Sequence, residues 1–445
     1  MSATENLDRK VINRWLVVAG GIVIQLCLGA IYAWSAFTGK LTNEFGFSKT
    51  ETQVVFSLGL LTFAAVMALV AGKWQKKSGP RIVALTGGLV LGAGYILAGM
   101  SGTNFWGILI GVGLLGGAGI GLAYVCPIAA LVKWFPDKKG LITGLAVAGF
   151  GFGALIWIKL TTGFQFGPLN LTPGWSGLYG TQEWSVNQVF TLYGVLFAAL
   201  VCLGSLVMVN PPDGWRPAGW APPEGLQASL DGGVDFTARE MVKTPQFWAL
   251  FGTFLMGATA GLMVIGIIQL FGEDVLTARG FEQKKANIIA GTAMGLFYAL
   301  ANGLGRIVWG SISDLLGRRN SIVLMTALQG VMMVLFFFVG RYVPGLYIGA
   351  AIIGFNFGGN FALFPAATAD FFGNANVGTN YPLVFLSYGA GGVIGPLLGG
   401  AMGDLQAWMW AFIPAGVACL LAAGVMMGVK PPKIAAAAEE VAEAA

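Results

Sequence analysis

The chain has 445 residues, of which 56% are hydrophobic and 10% are charged, with a net charge of +5. Soluble domains carry roughly 25% charged residues, so this composition excludes an ordinary soluble protein and predicts a membrane protein with many spans. Histidine is absent and the four cysteines are scattered, which excludes imidazole-based hydrolase, haem and metal sites. No cofactor is therefore expected.

Twelve segments are long and apolar enough to cross a bilayer, a length of about 20 residues. They predict an all-α polytopic membrane protein with twelve transmembrane helices. In chain order the predicted spans cover residues 14–37, 52–72, 82–101, 105–131, 141–160, 187–209, 246–271, 287–309, 321–340, 346–368, 380–402 and 407–429.

The basic residues predict the orientation. With both termini on one side, 17 of the 25 Lys and Arg residues lie on that side and seven on the other. Because basic loops stay in the cytoplasm, we expect a multi-pass protein of the cell inner membrane with cytoplasmic N- and C-termini. The distribution of the basic residues is explained by the membrane topology, so we expect the lipid bilayer as a partner and no nucleic acid.

One basic residue, Arg306, belongs to neither set of loops and is expected to be the only one inside a span. The interiors of the spans are expected to lack acids, apart from Asp370 near the cytoplasmic end of span 10. An ionisable residue within a span is costly and normally faces a cavity. Two alternatives are snorkelling to the interface and pairing with Asp314.

The sequence repeats itself at an offset of 238. Residues 72–81 after span 2 match residues 310–319 after span 8, and Pro127 matches Pro365. The repeat predicts two pseudo-symmetric six-helix halves, residues 1–209 and 246–433. A cytoplasmic linker is expected at residues 210–245, with a capping box at Thr237 and Glu240, and a mobile tail at residues 434–445.

Twelve spans in two halves, with a G-xxx-D-xx-G-RR loop after span 8, resemble the major facilitator superfamily. The first copy of the loop departs from the pattern because Lys76 replaces the acidic residue. The resemblance implies the major facilitator fold and a gating role for the motif positions, which are Gly72, Gly310, Asp314, Arg318 and Arg319.

Four shorter motifs narrow the resemblance. They read WFPDKKG at 134–140, TPQFW at 244–248, ALFP at 362–365 and NY at 380–381. Together they resemble the oxalate/formate antiporter family, which includes bacterial lactate and pyruvate carriers. The resemblance implies a transporter and no enzyme activity, and the carrier is expected to function as a monomer.

Arg306 is the predicted substrate-binding residue. Its planar guanidinium matches the two oxygens of a carboxylate, and Asn302, four residues earlier, lies on the same helix face. In the family this spacing resembles the anion-binding pair. One cation suits a monocarboxylate better than the dianion oxalate.

Aromatic residues are expected to line the cavity. The family's oxalate exchanger is expected to carry a lysine where this chain has Tyr388, whose hydroxyl can instead bond a 2-hydroxyl or 2-keto oxygen. Ordinary bundle packing is the alternative for each aromatic residue. The resemblance implies a cage at Tyr124, Phe357, Phe361 and Phe385, and span 1 adds Tyr32.

The sequence therefore predicts a secondary active transporter of small monocarboxylates, of the lactate or pyruvate type, that works by alternating access. A proton is a candidate co-substrate for symport. Two alternatives stay open: antiport of oxalate and formate, and a carboxylate sensor that does not transport. A membrane-embedded enzyme is disfavoured because the spans lack an acid–base pair.

Overall fold

A computed structural model describes residues 12–135, 137, 139–163, 177–181, 183–212, 215–217, 235–373 and 376–430. Within these ranges it has twelve helices long and apolar enough to cross a membrane, which confirms the predicted all-α fold. We label them α1 to α12 in chain order: Arg14–Ala33, Lys49–Ser78, Pro80–Met100, Phe105–Trp134, Lys139–Thr162, Val186–Ser205, Pro245–Thr277, Gln283–Leu316, Arg318–Val339, Val343–Phe372, Val377–Asp404 and Met409–Met427.

Side-chain caps begin several helices. Ser48 and Glu51 form a capping box at the start of α2, and Thr244 caps α7 just before its first residue, Pro245. The predicted capping box of Thr237 and Glu240 is present, and hydrogen bonds from Thr237 lower the pKa of the exposed Glu240 carboxyl. The rest of the linker is described only at residues 210–212, 215–217 and 235–245, and the predicted tail lies outside the described residues.

Helix α7 is longer than its predicted span and corrects one expectation. It continues six residues past position 271 to Thr277, and its last turns carry Glu273, which is 5% exposed, and Asp274. The helix continues because both carboxylates find donors, Asn287 for Glu273 and Lys49 for Asp274. The predicted end of span 7 is therefore six residues short of the end of the helix, and both acids lie in this extension.

Two pairs of helices, α2 with α11 and α5 with α8, carry much of the contact between the halves. Ala64 faces Gly389 in the first pair, and Gly151 faces Asn302 in the second. Asn302 lies 238 positions after Ala64, and Gly389 lies 238 positions after Gly151. The two helix pairs therefore meet at equivalent positions of the repeat, as a pseudo-twofold arrangement requires. Small residues at both contacts allow the helices to approach closely.

The two ends of the bundle differ in how the halves meet. The linker end is where α4, α6 and α8 end, and the far end is where α7 and α11 end. At the far end, Lys49 Nζ lies 2.5 Å from Asp274 Oδ2. The carboxylate of Asp404 also accepts the backbone N–H groups of Lys49 and Thr50 at 2.7 and 2.9 Å, where the α2 dipole favours an anion. These contacts close the far end across the halves.

The predicted gating motif at the linker end forms contacts within the second half. Arg318 bridges Asp314 at 2.8 Å and Asp370 at 3.1 Å, while Arg319 donates to the backbone oxygen of Val429 at 3.3 Å. Asp314 thus pairs with Arg318 and not with Arg306, which removes one alternative for Arg306.

The two motif glycines have room around them at the linker end. A Cβ at Gly72 would have no neighbour within 4 Å, and a Cβ at Gly310 would meet only Ala362, at 3.7 Å. Neither glycine is therefore required here by close packing.

Candidate functional site

Arg306 lies at the interface of the halves, on the face of α8 that packs against α5. Its Nη1 donates to the backbone oxygen of Val147 at 2.8 Å, and its Nε donates to Asn302 Oδ1 at 3.1 Å. The residue is 2% exposed, so it does not snorkel to the membrane surface. Gly151 permits this approach, because a Cβ there would lie 3.0 Å from Asn302 Oδ1 and 3.2 Å from Arg306 Nε.

Two buried donors of this pair have no hydrogen-bond partner among the described residues: Arg306 Nη2 and Asn302 Nδ2. No acid in the described ranges forms an ion pair with Arg306. Leaving a buried donor unpaired costs about 1–3 kcal/mol, and more when the group is charged. The two residues lie one helical turn apart, and each donor can bond an anionic oxygen.

Aromatic rings cover the guanidinium. Its Cζ lies 4.1 Å from the ring centroid of Phe361 and 5.7 Å from that of Phe150, which stabilises the cation. The hydroxyl oxygens of Tyr32 and Tyr388 lie 3.0 Å apart. This pair joins the first half to the second beside the aromatic cluster.

The predicted aromatic residues form one buried cluster built from both halves. Ring centroids are 5.4 Å apart for Phe357 and Phe361, and 4.8 Å apart for Phe385 and Tyr388. Tyr32 lies 5.8 Å from Phe357, and Tyr124 lies 6.3 Å from Phe385. The structure thus brings Arg306, Asn302 and all six predicted aromatic residues into one region: Tyr32, Tyr124, Phe357, Phe361, Phe385 and Tyr388.

Sequence reasoning missed several members of the cluster. Phe63 lies 5.1 Å from Tyr124 and 5.7 Å from Tyr388, and Phe150 lies 5.0 Å from Tyr32. The signal available for Phe150 was its position between glycines in α5, where the glycines mark close helix contact. Nothing in the sequence separated Phe63 from the other apolar residues of α2. Two further rings line the second half, Phe254 and Tyr298.

A second buried cation corrects the expectation that Arg306 is the only basic residue inside a span. Lys159, assigned from sequence to the outer end of its span, is 3% exposed in α5 and donates to Thr292 Oγ1 at 3.3 Å. Twelve residues separate it from Val147, which is roughly 18 Å of helix rise. A small dianion held by Arg306 therefore does not reach Lys159.

The pair of Asn302 and Arg306 has no counterpart in the first half. The residues 238 positions before Asn302 and Arg306 are Ala64 and Ala68. The helix contact is therefore repeated in both halves, whereas the charge is not. The matching contact between α2 and α11 has alanine at both positions. In the described ranges no group of three or more His, Cys, Asp or Glu residues could hold a metal ion.

Comparisons with known proteins agree with this architecture. A family model described as Major Facilitator Superfamily matches residues 18–297 and 285–444. The chain is 26% identical over 416 residues to the oxalate:formate antiporter of Oxalobacter formigenes, covering 92% of this chain and 90% of that protein. It is 25% identical over 454 residues to apicoplast pyruvate carrier 1 of Toxoplasma gondii, with 84% and 81% covered.

Solved structures share the fold. A bacterial homologue of the human lysosomal transporter Spinster, in an inward-facing and unoccupied conformation, aligns with a TM-score of 0.65 at 15% identity. The alignment covers 93% of this chain and 95% of that one. At this identity the likeness concerns the fold alone.

Proposed function

Because this chain belongs to the major facilitator superfamily, a superfamily of membrane transporters, we propose that it carries small monocarboxylates of the lactate or pyruvate type. The carboxylate binds to Arg306 and Asn302 at the interface of the halves. Transport proceeds by alternating access, in which the halves expose this interface to one side of the membrane at a time.

The observation that carries the proposal is the pair of buried donors without partners among the described residues, Arg306 Nη2 and Asn302 Nδ2. A carboxylate has two oxygens and one negative charge, so it satisfies both donors and neutralises the guanidinium. Arg306 also holds Val147 O of the other half. A substrate bound to Arg306 therefore contacts a side chain that is itself hydrogen-bonded to the other half.

The surroundings favour a monocarboxylate over oxalate. The walls are aromatic, and the other buried cation, Lys159, is roughly 18 Å further along α5. A dianion would leave one charge without a cation among apolar rings. The hydroxyl groups of Tyr32 and Tyr388 offer partners for a 2-hydroxyl or 2-keto oxygen.

The basic loops support the orientation proposed for the carrier. We place the linker end in the cytoplasm of a cell whose inner membrane holds the protein, because the loops at that end carry most of the Lys and Arg residues. The far end, closed by Lys49, Asp274 and Asp404, then faces outwards.

Uptake by the purified full chain in proteoliposomes tests the proposal. Labelled lactate, pyruvate, formate and oxalate are compared, with and without a pH gradient and with internal counter-anion. We expect lactate or pyruvate uptake to exceed oxalate uptake. Oxalate exchange faster than lactate uptake contradicts the monocarboxylate assignment, and binding of lactate without uptake would favour a sensor.

The likeness to the oxalate:formate antiporter supports a second candidate, exchange of carboxylate anions. Exchange needs no proton-carrying group beside Arg306. The two functions differ in one measurement: an exchanger moves label only when a counter-anion is present on the other side, whereas a symporter also accumulates label when driven by a pH gradient.

A further inference from the structure

Glu273 is a buried acid that the proposed substrate site does not use. It lies in the last turns of α7 at the far end and is 5% exposed. Both carboxylate oxygens accept hydrogen bonds from neutral amides: Gln283 Nε2 donates to Oε2 at 3.2 Å, and Asn287 Nδ2 donates to Oε1. Neither amide supplies the positive charge that an ionised, buried carboxylate needs.

The carboxylate of Glu273 packs directly on the other half. A Cβ placed at Gly39, on the helix Ser35–Phe45 that follows α1, would lie 3.0 Å from Oε1 and 3.3 Å from Oε2. The contact with Gly39 therefore shields the carboxylate from water while the halves are together at the far end. Opening that end removes the backbone of the helix Ser35–Phe45 and exposes the carboxylate.

An unpaired acceptor lies one turn away. Gln269, four residues earlier on the same face of α7, has a buried Oε1 with no hydrogen-bond partner among the described residues. The side chain of Gln269 also hydrogen-bonds Glu273 and stabilises its ionised form. The burial of the carboxyl group against Gly39 is therefore what favours the protonated form.

The cations near this corner are engaged with other acids. Lys49 Nζ lies 2.5 Å from Asp274, and Lys40 Nζ lies 2.6 Å from Glu44. The ionisable side chains on the elements that pack around Glu273 are Lys40, Glu44, Lys49, Glu51, Lys159, Asp274, Arg279, Glu282, Lys284, Lys285 and Asp404.

We propose that Glu273 is a proton-binding site whose occupancy is required to close the far end of the carrier. Closing buries the carboxylate against Gly39, so the closed state binds the proton more tightly than the open state. By linkage, acidification at the far end shifts the halves towards the closed arrangement. The inference rests on the alternating access of the proposed function, but not on the identity of the substrate.

The proton at Glu273 gates the carrier and is not carried across the membrane. When the linker end is open, the far end is closed and Glu273 is buried. The proton therefore returns to the far side when that end reopens.

The test measures the distance between spin labels at the far end of the full-length chain without any substrate. The labels replace exposed residues of the two halves, at Asn43→Cys and Ala278→Cys, with the four native cysteines changed to alanine. In the otherwise unaltered chain, the ratio of short to long distances should rise as pH falls, by up to about tenfold per pH unit for one linked proton. Glu273→Gln should hold the short distance at every pH.

Two variants and one control keep this test decisive. Gln269→Leu removes a hydrogen bond that stabilises the ionised carboxylate of Glu273, so the transition should move to higher pH, and this variant serves if Glu273→Gln does not fold. Glu282→Gln changes an exposed acid close by and should behave like the unaltered chain. The proposal is overturned if Glu273→Gln keeps the full pH response, if Gln269→Leu leaves the transition in place, or if Glu282→Gln abolishes the response.

Because no substrate is present, a failed distance test and a failed uptake test have different meanings. Loss of the pH response with intact lactate uptake would overturn the role of Glu273 alone. An intact pH response without uptake of any monocarboxylate would overturn the proposed substrate class alone.

Discussion

Arg306 in the second half donates a hydrogen bond from Nη1 to the backbone oxygen of Val147 in the first half, at 2.8 Å. One side chain thus contacts both halves, while its Nε donates to Asn302 and its Nη2 has no partner in the described part of the chain. A substrate that binds the guanidinium therefore acts where the halves meet. Under the proposed alternating access, occupancy of this position would influence which side of the interface opens.

Replacing Arg306 tests the binding role most directly. Arg306→Lys keeps the charge but loses the planar pair of donors, and Arg306→Ala loses both. We expect kcat/KM for lactate uptake to fall about 10- to 100-fold for lysine and further for alanine, since a hydrogen bond to a charged group is worth about 1.5–3 kcal/mol. Full uptake by both variants would remove Arg306 from the site. Lys284→Ala, an exposed cation, is the control.

Gly151 should be sensitive to the smallest side chain. Gly151→Ala places a Cβ 3.0 Å from Asn302 Oδ1 and 3.2 Å from Arg306 Nε, which forces the pair apart. Overpacking of this kind costs about 1–3 kcal/mol, so the KM for lactate should rise about tenfold.

The matched control lies two turns away on the same helix. A Cβ placed at Gly144 would have no neighbouring atom within 4 Å, so Gly144→Ala should leave the KM close to that of the unaltered chain. Equal effects of the two substitutions would mean that helix propensity, and not the crowding of Arg306, determines the result.

The hydroxyl pair of Tyr32 and Tyr388 should select among monocarboxylates. Tyr388→Phe keeps the ring but removes the hydroxyl that lies 3.0 Å from that of Tyr32. We expect lactate uptake to fall about 3- to 10-fold, the value of one hydrogen bond, and acetate uptake to change less because acetate has no 2-hydroxyl. Competitive uptake assays with lactate and acetate measure this difference. Equal losses for both substrates would indicate that Tyr388 acts through packing and not through its hydroxyl.

Lys159 should be dispensable for binding a monocarboxylate. Lys159→Met keeps an unbranched side chain of similar length in the same buried position, while the substrate site is roughly 18 Å away along α5. The KM for lactate should stay within about twofold. A large rise in KM, or selective loss of oxalate exchange, would place Lys159 on the substrate path and favour the anion exchanger.

The far-end ion pair of Lys49 and Asp274 should act as one unit. Lys49→Ala and Asp274→Asn each remove the same 2.5 Å contact, so their effects on the far-end distance distribution should not add in the double variant. A partly buried pair of this kind is worth about 1 kcal/mol, or roughly fivefold in the open population. Additive effects would show that the two residues stabilise the closed end separately.

Much of the site was predictable because it rests on local patterns. Asn302 and Arg306 share a helix face by their spacing alone, and a charge in an apolar span stands out. Phe63 was missed because a phenylalanine in an apolar helix has no signal of its own. Only the packing of α2 against α4 and α11 shows which of its rings faces the cluster.

Two expectations about charge failed at the outer ends of predicted spans. A charged residue lowers the average hydropathy of any window, so span 7 was ended before Glu273, and Lys159, at the end of the predicted span 141–160, was counted with the outer side. Both residues lie in helices that are buried by other helices. Partners distant in sequence, Asn287 and Thr292, make those positions tolerable.

The sequence by itself determined that the chain lies in a bilayer, that it has twelve long helices and that it contains a twofold repeat. Composition, the length of apolar segments and motif spacing can all be read directly from the chain. The sequence also singled out Arg306. Only the tertiary structure decided that Arg306 reaches Val147 in the other half, that its Nη2 has no partner among the described residues, and that Glu273 is buried against Gly39. These relationships join segments far apart in the chain, and their geometry depends on how twelve helices pack.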